Sequence, residues 1–140
     1  MGVPSKEFKA ALGIYFSLAA VATDDESGEI TAVTVEIDGI HRAKIRTSRP
    51  EKYRLFIDVH NIRSELPTVW VLDPPNERVG HVNIFEPTRC HALGKDLPRL
   101  CWGSYVEQWR NAPAQQRTLL ALLQNIQQYL SHPNYSSPAR

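Results

Sequence analysis

The chain has 140 residues, a formal net charge of +1 and a hydrophobic fraction of 42%. A chain of that length reads as one domain, 1–140, which buries about 68–70% of the surface its unfolded form exposes and needs no staples to build a core. The small net charge removes the usual electrostatic argument for a nucleic-acid groove or an anionic membrane surface and leaves open only a local basic patch, so neither nucleic acid nor membrane is an expected partner.

Ser5 precedes a run in which Phe8, Leu12, Tyr15, Phe16 and Ala19 recur at three- and four-residue spacing. That periodicity predicts a first helix over about residues 5 to 22. The apolar stretch "FKAALGIYFSLAAVAT" is too short for a membrane span. It has the basic start, apolar run and small residues of a secretory signal, but reads better as a core-packing helix. Lys6 stands where the myristoylation pattern needs Ser or Thr. Two cysteines do not make a disulfide framework; a Cys90–Cys101 bridge stays open, and a reducing cytoplasm is the expected setting.

"TDDESGE" then supplies turn formers, and "ITAVTVEI" alternates as a strand. "DG" at Asp38 and Gly39 predicts a two-residue hairpin turn leading into a partner strand, "HRAKIRT". "KYRLFIDV" and "TVWVL" continue the β-branched and aromatic pattern, which completes a four-stranded antiparallel meander. After "LDPPNERVG" the stretch from His81 to Gly103 has little periodicity and reads as a long functional loop. Pro113 suits the first turn of a last helix, whose apolar face is Leu119, Leu120, Leu122, Leu123, Ile126 and Leu130 and which Pro133 ends. The expected class is α+β: an N-terminal helix, a four-stranded meander, a long loop holding both cysteines, and a C-terminal helix.

No Gly-rich phosphate loop and no G-x-S-x-G elbow is present. His81, Cys90, His91 and Cys101 match none of the paired spacings of a zinc site. No metal and no small cofactor is expected.

The segment "RLCWGSYVEQWRNAP" is more specific. Cys101 is followed eight residues later by Trp109, then by "RNAP", a helix, and a closing segment with Pro133, Asn134 and Pro138; ahead of it stand His81 and Asn83 in "HVN". This order resembles the catalytic region of the ubiquitin-conjugating enzymes, which carry a His-Pro-Asn element, an active-site Cys, a Trp eight residues on, a proline-led loop, a helix and a Pro-Asn-x-x-x-Pro close. The first helix, the meander and the proline-rich turn "LPTVWVLDPP" also fall where the family has them. Three features depart from it, one of them a helix after Trp109 that reads a turn longer than the family's. Val82 replaces the middle proline, and Asn83 precedes Cys101 by 18 residues, a longer gap than the family's, so that "EPTRCHALGKDLPR" reads as an insertion looping out near the site. Such looseness resembles the divergent bacterial relatives in ubiquitin-like pathways linked to antiphage defence. The insertion also raises a rival cysteine: Cys90 follows Asn83 by seven residues, but lacks a Trp at the matching distance and sits in polar sequence.

The resemblance implies that Cys101 accepts the C-terminal acyl group of a ubiquitin-like protein from an activating enzyme as a thioester and passes it to an amine of a target protein, with or without a separate ligase. The nucleophile is a thiolate, so Cys101 must be exposed. The same resemblance assigns Asn83 to the oxyanion of aminolysis, His81 to bracing the loop, and Ser137 to orienting the incoming lysine. It places the activating enzyme on the first helix, where Lys6, Glu7 and Lys9 supply charge. Trp109 reads as packing under the site. Two other readings stand beside this one: an inactive module of the same fold that binds or scaffolds, and an unrelated α+β domain whose cysteine is buried, as free cysteines commonly are.

Overall fold

The computed structural model describes residues 2–44, 47–75, 81–133 and 139. Alternation along the chain builds its centre. Val33, Val35 and Ile37 pair with Ile57, Leu55 and Tyr53, and Ile57 and Leu55 pair in turn with Val69 and Val71. Side chains two apart share a sheet face, so these residues form one apolar surface, and all of them are buried. The strands are β1 (Ala19–Thr23), β2 (Ile30–Lys44), β3 (Thr47–Asp58), β4 (Val69–Asp73), β5 (Ile84–Cys90) and β6 (Lys95–Leu100). They make a single antiparallel sheet in the order β1-β2-β3-β4-β6-β5.

Among the described residues three α-helices accompany the sheet: α1 (Ser5–Leu12), α2 (Tyr105–Asn111) and α3 (Leu119–Ser131). Leu119, Leu122, Leu123, Ile126 and Leu130 make one buried stripe of α3 at helical spacing. Each such side chain contributes about 1.5–3 kcal/mol through burial. Thr118 caps this helix, its hydroxyl accepting the Ala121 N–H at 3.2 Å. The class is therefore α+β, as expected. No helix among the described residues is long and apolar enough to cross a membrane.

Four expectations are corrected. The first helix stops at Leu12, with Gly13 as its C-cap. The residues expected to continue it instead supply β1, because pairing with β2 overrides the helix propensity of "LAAVA"; Phe16 is left 91% exposed. Asp38 and Gly39 form no turn: they lie within β2, opposite Lys52 and Glu51. A Cβ on Gly39 would stand 2.7 Å from the Leu130 Cβ and 2.9 Å from its carbonyl oxygen, so this glycine serves the close approach of α3.

The long loop is in fact a hairpin, β5 and β6, closed through Gly94 at φ +66°; it joins the sheet through β6 rather than β5, so the meander ends at β4, and with β1 and the single long β2 the sheet has six strands. Prolines at 87 and 98 hid it, since proline argues against a strand. Pro87 lies on the edge strand, and Pro98 falls where the register slips between Phe85↔Arg99 and Thr88↔Leu97. Finally, Pro113 precedes a 3-10 turn, Ala114–Gln116, and the last helix begins only at Leu119.

Candidate active site

The hairpin's two ends bring the sequence-selected residues together. Ile84 opens β5 and Leu100 closes β6, and they pair, so the residues just outside them, Asn83 and Cys101, are neighbours. The Cys101 N–H donates to the Asn83 carbonyl at 2.7 Å. The 18-residue gap that separates them in sequence is thus spanned by an antiparallel ladder. The insertion runs along β4, with Arg99 opposite Trp70, rather than looping over the site.

His81 stands behind this junction and is 2% exposed. Its Nε2 lies 3.2 Å from the Leu130 carbonyl, and the Asn83 N–H donates to its Nδ1 at 3.1 Å. One ring nitrogen faces an acceptor and the other a donor, which fixes the neutral tautomer with the proton on Nε2. Burial holds the imidazole below its ordinary value, opposed by the Leu130 and Tyr129 carbonyls. His81 consequently ties the Asn83 backbone to the end of α3. Val82 takes part through its carbonyl, which accepts the Ala139 N–H at 2.9 Å.

The chain after Cys101 is held by aromatic residues. The Trp102 indole N–H donates to the Pro67 carbonyl at 3.0 Å, and the Trp102 carbonyl accepts the Tyr129 hydroxyl at 2.8 Å. Trp102 and Tyr129 meet edge to face, 5.4 Å between centroids, and Tyr105 packs 5.5 Å from Trp102. Burial, and secondarily the charge of the neighbouring Cys101, push the Tyr129 phenol up. Trp109 is buried in α2 and its indole N–H donates to the Ile62 carbonyl at 3.0 Å, a packing position. Trp102 and Tyr129 were not chosen as site residues from sequence; the adjacency of Trp102 to Cys101 was the available signal, while Tyr129 falls within an ordinary helix pattern.

The cysteines differ in setting. Cys101 is partly exposed; Cys90 is buried at 1% exposure under the hairpin tip, in a small cluster with Ala32, Phe56 and Leu97 on the sheet face away from α3. Both are free, so the sequence-allowed bridge is not formed. Ser137 lies outside the described residues. Glu7, assigned to a docking charge, instead turns inward. Its carboxylate accepts the Leu119 N–H at 2.7 Å and pairs with Arg63, whose guanidinium also donates to the Arg117 carbonyl. Its charge is therefore engaged at the start of α3. The chain matches no protein-family model, no curated protein and no solved structure.

Proposed function

We propose that this protein is a conjugating enzyme of the ubiquitin-like type, which carries a ubiquitin-like protein as a thioester on Cys101. The observation that carries the reading is the junction itself: a partly exposed cysteine bonded through its N–H to Asn83, which a buried neutral histidine braces. A carrier thiol needs access for two large partners in turn, and of the two cysteines only Cys101 offers it.

In the first step the Cys101 thiolate attacks the thioester carbonyl presented by an activating enzyme. A new C–S bond forms as the old one breaks, and the donor cysteine leaves as a thiolate. In the second step a target amine attacks that carbonyl. The C–N bond forms, the C–S bond to Cys101 breaks, and the amine's proton is lost as the thiolate departs. The intermediate of each step carries an oxyanion, and an amide donor aimed at it is worth about 2.7–4 kcal/mol. Asn83 is assigned that role, which requires its amide to reach the oxyanion from a position only 1% exposed; His81 holds its backbone, and Ser137 is assigned to the acceptor side. ATP is consumed by the activating enzyme, so this chain needs no cofactor of its own. The setting is proposed to be the cytoplasm of a bacterium, within a defence pathway.

The test is non-reducing electrophoresis after incubation with ATP, a candidate activating enzyme and its ubiquitin-like partner. A band that reductant removes, lost in Cys101→Ala and kept in Cys90→Ala, is expected, with Cys101→Lys giving a reductant-resistant product. A band that depends on Cys90 would refute the assignment. No band, together with an inert Cys101 thiol, would favour a binding module of the same fold.

A further inference from the structure

Among the described residues no helix lies over the sheet face opposite α3, where Cys90 and Leu97 of the hairpin pack with Ala32 and Phe56. The tip of that hairpin, around Ala92 and Leu93, stands across from the β1–β2 turn, and between them lies a cleft of about 760 Å³. A second cleft of about 300 Å³ continues it toward Trp70 and Pro67, and the two share Phe56, Asp58, His60 and Ala92. Phe56 and Ala32 form the floor, and the exposed side chains of Val21 and Leu93 stand at the sides.

The rim of this channel is acidic. Asp24, Asp25, Glu26 and Asp58 line the larger cleft, and Glu65 lines the smaller. Among the described lining residues the one guanidinium, Arg89, is paired with Asp96 at 3.3 Å; His60, His91 and the buried Cys90 complete their titratable set. The Asp24 carboxylate accepts the N–H groups of Glu26 and Ser27 at 2.8 and 3.1 Å, which hold it below the usual carboxylate range. Among the described residues no three His, Cys, Asp or Glu side chains are grouped to hold a metal ion, so the carboxylates are spread along a channel rather than gathered about a point.

We infer that this channel is a docking site for an extended, lysine- or arginine-bearing segment of a partner protein, anchored by an apolar side chain on Phe56 between Val21 and Leu93. Charge complementarity argues for that occupant: among the described lining residues five carboxylates stand against one guanidinium, itself paired with Asp96, a balance that repels an acidic segment and steers a basic one. An apolar floor inside a polar rim is the usual anatomy of a protein contact. The inference goes beyond the thiol chemistry and does not depend on it, because neither cleft is lined by Cys101 and the larger one lies at the hairpin's tip.

The test is a titration of the full chain at pH 7.5, followed by amide chemical shifts, with the acetylated peptide amide Gly-Lys-Leu-Lys-Gly-Lys-Leu-Lys-Gly as probe. The control is the same peptide with glutamate for lysine. Saturable shifts are expected at residues 21–26, 56–60 and 92–93. Affinity should weaken about fivefold or more between 50 and 200 mM salt, and about tenfold in the double variant Asp25→Lys, Glu26→Lys. Leu93→Ser should weaken binding with less change in the salt response. No saturable binding below about 1 mM peptide, equal binding of the glutamate peptide, or shifts centred elsewhere would overturn the inference. Shifts at these residues on raising protein concentration alone would assign the face to self-association instead.

Discussion

Gly39 joins the core to the candidate site, and replacing it is the sharpest test of the fold. In Gly39→Ala the new methyl carbon would stand 2.7 Å from the Leu130 Cβ, 2.9 Å from the Leu130 carbonyl oxygen and 3.0 Å from the Tyr53 ring. Two of these neighbours are fully buried residues on opposed elements, and one contact is with backbone, so relief requires α3 to move. Two effects compete. Loss of unfolded-state freedom favours alanine by about 0.4–1 kcal/mol, whereas overpacking costs about 1–3 kcal/mol. The second wins, for a net loss of about 1–2 kcal/mol, or roughly 3–7 °C in Tm for a domain of this size. Displacing the Leu130 carbonyl also loosens its contact with His81 Nε2. Thermal and urea melts followed by circular dichroism measure the loss. Gly39→Asn discriminates further: asparagine suits the turn that the Asp-Gly pair suggests, but within β2 it should cost more than alanine. A Gly39→Asn variant as stable as wild type would refute the close approach of α3 and restore the turn.

Glu7→Gln should lower stability by about 1–3 kcal/mol, because the carboxylate accepts charge-assisted bonds from Arg63 and the Leu119 N–H; an unchanged urea midpoint would contradict that network. His81 is held below its ordinary pKa, so the unfolded chain binds a proton that the folded chain resists. Its contribution is complete above the unfolded value near 6.5 and is lost as pH falls below it, with a slope of up to about 1.4 kcal/mol per unit. Urea midpoints between pH 7.5 and 5.5 should fall less steeply in His81→Gln than in wild type, and equal slopes would refute the assignment. In the native protein one thiol equivalent should react with a bulky disulfide reagent at least about 100-fold faster than the other. The fast phase should vanish in Cys101→Ser and remain in Cys90→Ala; reaction of both thiols at one rate would contradict their different burial.

Much of the sheet and the last helix was legible because their periodicity is strong: the Val33-Val35-Ile37 alternation and the Leu119-to-Leu130 stripe each admit one reading. The Asp38-Gly39 pair misled because two physical demands select glycine, positive φ and close packing, and the local sequence cannot tell them apart. Residues 13–23 misled through composition, since alanine and leucine favour a helix until an edge of sheet is available, and that edge is made by residues far along the chain. The hairpin was hidden by Pro87 and Pro98, which an edge position and a register slip accommodate. At the site, Cys101, Asn83 and His81 were found by their resemblance to a known order, and the fold brings them side by side. Their connection through β5 and β6 and the support from Tyr129 depend on tertiary pairing that no local pattern carries.

The central claim is that Cys101 carries the acyl group. It is tested most directly by digesting the reductant-sensitive adduct under mildly acidic, thiol-free conditions and locating the modified residue by mass spectrometry. The C-terminal acyl remnant of the proposed ubiquitin-like partner is expected on the peptide containing Cys101 and should be removed by hydroxylamine at neutral pH. A remnant on the peptide containing Cys90, or on a lysine with both thiols free, would contradict it.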